Sequence, residues 1–257
     1  LILGNDFSEF SDWITYTESG TSYDWEWDTD TPTDLEEYIA PMASPTSSNG
    51  FAYFNGTEHI IGETVMPIDA LIEYNDAINC VGFDAVNLSF FAGYRAFNFD
   101  QIFVEVTNND WLSFEAYELY TELPANGDPV MEKVTISITE VAGGEANVKV
   151  RFRFRELGGD EMLGCGYGFM IDDLELTEAW NYDQANLEVF HRSGLGVSFD
   201  NGLEYYMVPT TQLTEIQFAG ITKNAGAVVQ DGAKLNVTVA GAEAYSGTST
   251  PTDLGVG

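Results

Sequence analysis

Residues 147–156 read NVKVRFRFRE. Val148, Val150, Phe152 and Phe154 alternate with Lys149, Arg151, Arg153 and Arg155. Side chains on a strand point alternately to opposite faces, so a period of two makes this a half-buried β-strand, apolar inside and basic outside. The same period recurs on either side. DQIFVEVTNN (100–109) sets Ile102, Val104 and Val106 against Gln101, Phe103 and Glu105. EKVTISITEV (132–141) sets Val134, Ile136 and Ile138 against Thr135, Ser137 and Thr139, and KLNVTVAG (234–241) repeats the pattern with Leu235, Val237 and Val239. Turn clusters such as SPTSSNG, PANGDP, VAGGEAN and ELGGDE separate these runs. TDLEEYIAP (33–41) offers a helical turn or two at most. The fold class is all-β, built from antiparallel sheets.

The chain has 257 residues, 44% hydrophobic and 14% aromatic, which is the composition of a globular protein with a real core. It carries 42 acids against 9 bases, a net charge of −33. Such a surface repels phosphate, which argues against nucleic acid and anionic lipid as partners. No apolar run is long enough to span a bilayer, so membrane insertion is not expected. An acidic surface of this kind suits a salty or calcium-rich exterior. The first residues, LILGNDF, include no methionine, as in a processed or trimmed product.

A boundary falls near residue 180, which divides the chain into domains 1–180 and 181–257. The second segment reads ANLEVFHRS, YYMVPTTQLTEIQFAGITKNAG, AKLNVTVAG and EAYSGTSTP, the order of the first strands of an immunoglobulin-like sandwich. It stops at TDLGVG, short of the roughly 100 residues of such a sandwich. A longer native protein is therefore expected, and an incomplete sandwich would leave an open edge through which copies could self-assemble.

The series SYDWEWDTDTPT, NGFAYFNG, INCVGFDAVNLSFFAGYRAF, QIFVEVTNND, ANVKVRFRFRE and GYGFMIDDLELTE resembles the jelly-roll modules of Bacteroidetes surface and secreted proteins. These are the MAM-like, choice-of-anchor type domains, often exported by type IX secretion. The resemblance covers roughly residues 5 to 180 and implies a jelly-roll β-sandwich. The following segment is similar to the immunoglobulin-like module that accompanies such domains.

GFMIDDLEL (168–176) carries two adjacent acids inside an apolar run. On an unbulged strand Met170, Asp172, Leu174 and Leu176 share one face and Asp173 the other, so the pair does not converge on one substrate. The parity turns Asp172 toward the core, where an unmatched carboxylate is costly. Asp173 is left outward, with Glu105, as a partner for the arginine-rich strand. Calcium takes six to eight hard oxygens and would satisfy Asp172; the alternative is a hydrogen-bonded aspartate that fixes a turn. In the family's architecture the closing strand lies beside the N-terminal one, which implies Asp6 and Glu9 as co-ligands. Asn55 and Glu58 in the FNGTEH loop are a second source of oxygens.

Other chemistry is weaker. His59 and His191 fall in different domains, and no GxSxG elbow accompanies them. A glycosidase needs two opposed carboxylates, but so many acids make any such pair non-specific. Asp24, Glu26, Asp28 and Asp30 mimic an EF-hand start, yet Thr29 and Leu35 stand where its glycine and glutamate belong. Trp25 and Trp27 either face the core or form a sugar-stacking platform. Cys80 and Cys165 are either a disulfide or two buried thiols. The reading that follows is a non-catalytic extracellular or cell-surface module for adhesion, carbohydrate contact or surface assembly, with glycans or other surface modules as partners. The alternative is an accessory part of a secreted polysaccharide-degrading enzyme or peptidase.

Overall fold

A computed structural model describes residues 1–18, 23–57, 67–97, 99–156, 166–180, 182–193, 216–224, 226, 228–241 and 244–255. The chain divides into two compact units, Leu1–Ala179 and Trp180–Gly257. Among the described residues the first unit holds β1 (Leu3–Asn5), β2 (Trp13–Thr17), β3 (Glu26–Asp28), β4 (Phe51–Asn55), β5 (Ile68–Tyr74), β6 (Val86–Arg95), β7 (Gln101–Thr107), β8 (Glu115–Leu119), β9 (Val130–Ser137), β10 (Lys149–Glu156) and β11 (Gly168–Glu178). Two short helices, α1 (Thr33–Glu36) and α2 (Thr139–Ala142), punctuate them.

The strands form two antiparallel sheets. One runs β3-β4-β11-β6-β9, with β1 also paired to β11; the other runs β2-β5-β10-β7-β8. Their inner faces meet in a β-sandwich core. Val150, Phe152 and Phe154 enter it from β10, Leu88 and Phe90 from β6, and Phe169 and Ile171 from β11. Phe54 stacks on Phe154 with ring centroids 4.5 Å apart, and Phe90 meets Phe152 edge-on at 4.8 Å. Each fully buried phenylalanine contributes on the order of 2 kcal/mol by leaving water.

The outer face of the first sheet is also covered. The segment between β3 and β4 folds over it, so that Leu35, Ile39 and Met42 form a second, smaller cluster with Phe51, Tyr53 and Met170. Gly50 permits this crossing. Its φ is +112°, and an added Cβ would fall 2.2 Å from the Trp27 ring. The left-handed conformation and the lack of a side chain are both required there.

The second unit contains three two-stranded pairings among its described residues. β12 (Gln184–Ser193) pairs with β13 (Ile216–Asn224), β14 (Gln230–Ala233) with β17 (Thr252–Leu254), and β15 (Asn236–Val239) with β16 (Tyr245–Thr248). No helix among the described residues is long and apolar enough to cross a membrane.

Candidate functional site

Two polar regions of the first unit stand out. The first is GFMIDDLEL, where the unbulged-strand expectation is corrected. The register of β11 against β6 shifts between Asp172 and Glu175, and Asp173 takes a φ of +50°. This bulge reverses the parity of the strand. Phe169 and Ile171 face the main core before it, and Leu174 and Leu176 face it after. Met170 belongs to the outer cluster instead. Asp172 is 0% exposed, as expected, but it is buried under the segment between β3 and β4, not within the sandwich.

The bulge lies where β11 changes neighbours. β4 pairs with its first half through Ile171, and β1 with its second half from Leu174 onward. Residues 172 and 173 fall in the gap. The Ser44 hydroxyl donates to Asp172 Oδ2, and the Asp173 N–H donates to Asp172 Oδ1 at 2.8 Å. Thr46 Oγ1 donates to Asp173 Oδ1 at 2.6 Å, while Asp173 Oδ2 is buried without a partner. Both aspartates therefore answer to one loop. Asp173 cannot reach the arginine-rich strand, which belongs to the other sheet.

β1 runs beside β11, as the resemblance implied, and brings Asp6 close enough for its charge to act on Asp172. Burial, and to a lesser degree Asp173 and Asp6, push the Asp172 carboxyl up to about 6 against the bonds from Ser44 and the Asp173 N–H. Asp6 accepts bonds from Ser8 and, at 3.2 Å, from Asn49 Nδ2, and these hold its pKa down. Glu9 is exposed at the head of a 3-10 turn and makes no side-chain capping bond. Asn55 is not brought to this end. It sits opposite Gly168 and spends its amide on Asp34 and Thr57. Glu58 lies outside the described residues.

Among the described residues no three His, Cys, Asp or Glu side chains gather into a ready-made metal site. The oxygens at this end are nonetheless hard donors: the Asp172 and Asp173 carboxylates, the latter with one buried unpartnered oxygen, and the Ser44 and Thr46 hydroxyls, with the Asp6 carboxylate near enough to act on Asp172. That chemistry suits calcium.

The second region is the outward face of the sheet β2-β5-β10-β7-β8. Across one row, Ile14, Glu73, Arg151, Glu105 and Ala116 lie side by side; across the next, Tyr16, Leu71, Arg153, Phe103 and Glu118. Glu105 is 2% exposed and receives both arginines, Arg151 Nε at 2.5 Å and Arg153 Nη1 at 3.0 Å. Asp69 takes Arg153 in a two-pronged pair, Nε at 2.6 Å and Nη2 at 2.7 Å. Charge-assisted, bidentate contacts of this kind are the strong hydrogen bonds. The Asp69 pair first, and Glu105 second, raise the Arg153 pKa against its burial.

At one end of this network an aromatic group closes over Arg151. Its guanidinium lies 4.0 Å from the Trp111 ring centroid and 5.1 Å from that of Phe114. Trp111 Nε1 donates to Glu73 at 2.8 Å, and Tyr16 receives Arg151 Nη1 at 2.9 Å. The β7–β8 loop presents Trp111 in a fixed way. Asp110 and Trp111 both have positive φ, and the buried Thr107 hydroxyl accepts the Asn109 and Trp111 N–H groups while donating to Ser113 O. Leu112 and Phe114, 89% and 43% exposed, leave apolar surface open beside the ring.

The tryptophans singled out from the sequence lie elsewhere. Trp25 is 3% exposed in the core, with its indole N–H bonded to Ala70 O at 3.2 Å. Trp27 packs against the core and donates to Phe7 O at 2.7 Å. Strand spacing puts both rings on one face, and that face is the inner one, so neither offers a platform to a sugar. Trp111 was missed because it stands in a turn. The available signal was a tryptophan flanked by Asn108, Asn109, Asp110 and Ser113, an apolar ring in a polar hairpin loop.

Cys80 is a buried free thiol whose pKa is raised by burial; Cys165 lies outside the described residues. So does His59, and of His191 only its place on β12 is described.

The sequence matches no known family profile and no curated protein. Among solved structures, a cleaved adhesin domain of Lys-gingipain from Porphyromonas gingivalis is 17% identical over 68% of this chain and 96% of that one, with a TM-score of 0.42. TmCBM61, solved with β-1,4-galactotriose, is 13% identical over 67% and 92%, with a TM-score of 0.39. The CBM22-2 xylan-binding domain of Paenibacillus barcinonensis Xyn10C is 15% identical over 69% and 99%, with a TM-score of 0.36. At these identities and TM-scores the likenesses say nothing of this chain's ligand.

Proposed function

We propose that the first unit is a non-catalytic extracellular module that contacts glycans through the outward face of the sheet β2-β5-β10-β7-β8. The observation that carries this reading is the Trp111–Arg151–Phe114 group. It is an aromatic surface locked in place by Glu73, Tyr16 and a hydrogen-bonded loop, beside open apolar area. A rigid ring next to oriented polar groups suits a sugar, which presents an apolar face and a rim of hydroxyls. In the two rows described, the carboxylates are committed as acceptors: Glu105 to arginines, Glu73 to Trp111 and Tyr16, and Glu118 to Gln101, with Asp69 beside them taken by Arg153. A glycosidase needs a carboxylic acid free to give its proton. The MAM-like sequence series and the acidic surface support an extracellular setting.

The same reading assigns a structural calcium ion to the Asp172 end, held by Asp172, Asp173 and Asp6 with the Ser44 and Thr46 hydroxyls at hand. Bound there, the ion would offset two of the three negative charges and tie the end of β1 to β11. Asp173 Oδ2, buried without a partner, is the observation behind it.

Titration calorimetry of the full chain against neutral gluco-, galacto-, manno- and xylo-oligosaccharides tests the glycan reading. At least one series should bind, and Trp111→Ala should abolish binding with little change in melting temperature. Binding that survives Trp111→Ala would overturn it.

A further inference from the structure

The arginine-rich strand has four basic residues on its outward face, and they are not equivalent. Lys149 pairs with Asp110 at 3.0 Å, Arg151 with Glu105, and Arg153 with Asp69 and Glu105. Among the described residues Arg155 pairs with no carboxylate. Its backbone neighbours across the sheet are Asp69 on β5 and Gln101 on β7. Both carboxylate oxygens of Asp69 are taken by Arg153, and Gln101 donates its amide to Glu118 at 3.1 Å. Arg155 Nε is buried and makes no hydrogen bond.

A guanidinium nitrogen withdrawn from water and left unbonded is a standing cost to the fold. Local rules of this kind are broken mainly where function requires it. A planar, always-charged fork is the side chain that grips a planar or tetrahedral oxyanion in a two-pronged manner. Arg155 is four residues from Arg151 on the same face, roughly 13 Å at about 3.3 Å per residue. A short oligosaccharide stacked on Trp111 would span that distance, passing the half-buried Phe103 ring one row from Arg155.

We infer, resting on the glycan reading above, that Arg155 receives an oxyanion on the bound sugar chain, so that the ligand is a neutral glycan carrying a sparse anionic residue. A densely charged polyanion is a poor fit, because the net charge of −33 opposes its approach. Charges beyond about 8 Å are largely screened at physiological salt, so a single anion answers to Arg155 itself.

The experiment takes the oligosaccharide that binds best in the neutral panel. It compares this probe with the same oligosaccharide bearing one uronic acid, and with one bearing one sulfate ester, on the full chain. At least one acidic form should bind roughly tenfold tighter, the size of one charge-assisted hydrogen-bond pair. The form preferred tells carboxylate from sulfate. The advantage should shrink as salt is raised, vanish in Arg155→Gln and be partly kept in Arg155→Lys, while neutral affinity stays within about twofold. Equal or weaker binding of both acidic forms, or an advantage that survives Arg155→Gln, overturns the inference alone, since Trp111→Ala would still abolish neutral binding. Failure of every sugar to bind overturns the glycan reading and this inference with it.

Discussion

Glu105 and Asp172 are both buried acids, and the chain satisfies them in opposite ways. Glu105 sits on a regular strand between two guanidiniums. Asp172 sits at a bulge among neutral donors, with two more carboxylates for company. One region holds its counter-charge in the sheet; the other meets its carboxylate with neutral donors, and it is there that a cation is proposed. A buried acid is a stable structural part where the sheet itself delivers the counter-charge, and a responsive one where it does not.

The sharpest way to break that comparison is to remove Glu105. Glu105→Ala leaves Arg151 without its carboxylate, while Arg153 keeps Asp69, and should cost about 3 kcal/mol in urea unfolding, because removing one partner of a buried pair leaves the other charge uncompensated. A loss below about 1 kcal/mol would mean the arginines find water or other acids readily.

Calcium probes the other side. Saturating calcium should raise the melting temperature relative to chelator by several degrees, since an ion at about 100 times its dissociation constant adds about 2.7 kcal/mol. Asp172→Asn should lose most of that gain. An unchanged melting temperature on chelation would remove the metal from the picture.

A third case, two acids side by side, sharpens the contrast further. Both Asp100 carboxylate oxygens are buried without a donor, and Glu156, 0% exposed, faces Asp100 within hydrogen-bond range. Burial first, and Glu156 second, push Asp100 up to about 9 from an ordinary 3.8. A carboxyl raised in this way takes up a proton on folding. Its contribution is complete below 3.8 and is lost as the pH rises through about 9. Asp100→Asn keeps the shape without the charge. It should therefore match the wild type in acid and exceed it by about 2 kcal/mol near pH 9, a size ordinary for buried-charge effects. Parallel pH profiles for the two proteins would contradict a proton held by Asp100. The smallest effect belongs to an exposed pair. Lys133→Ala breaks the 2.6 Å contact with Glu175, both about two-fifths exposed, and should change stability by no more than about 0.5 kcal/mol.

How much of this was legible in the sequence follows the same division. On β10 a strict period of two states which residues are core and which are outward, and the structure agrees residue by residue. On β11 the period alone misleads. One extra residue at the bulge reverses every later side chain, and no apolar–polar pattern records a φ of +50° at Asp173. That Asp172 is buried could be read; which layer buries it could not, because the cover is a segment more than a hundred residues earlier. Trp111 was hidden for a similar reason. Its meaning lies in Arg151, Glu73 and Tyr16, which meet it only through sheet register.

The tryptophans supply the most direct test of the glycan face, because the indole N–H resonances of Trp25, Trp27 and Trp111 can be followed separately once assigned by substitution. Addition of a binding oligosaccharide should shift the Trp111 resonance saturably and leave those of Trp25 and Trp27 in place. A shift at Trp25 or Trp27 with Trp111 unmoved would contradict a binding surface on the sheet β2-β5-β10-β7-β8.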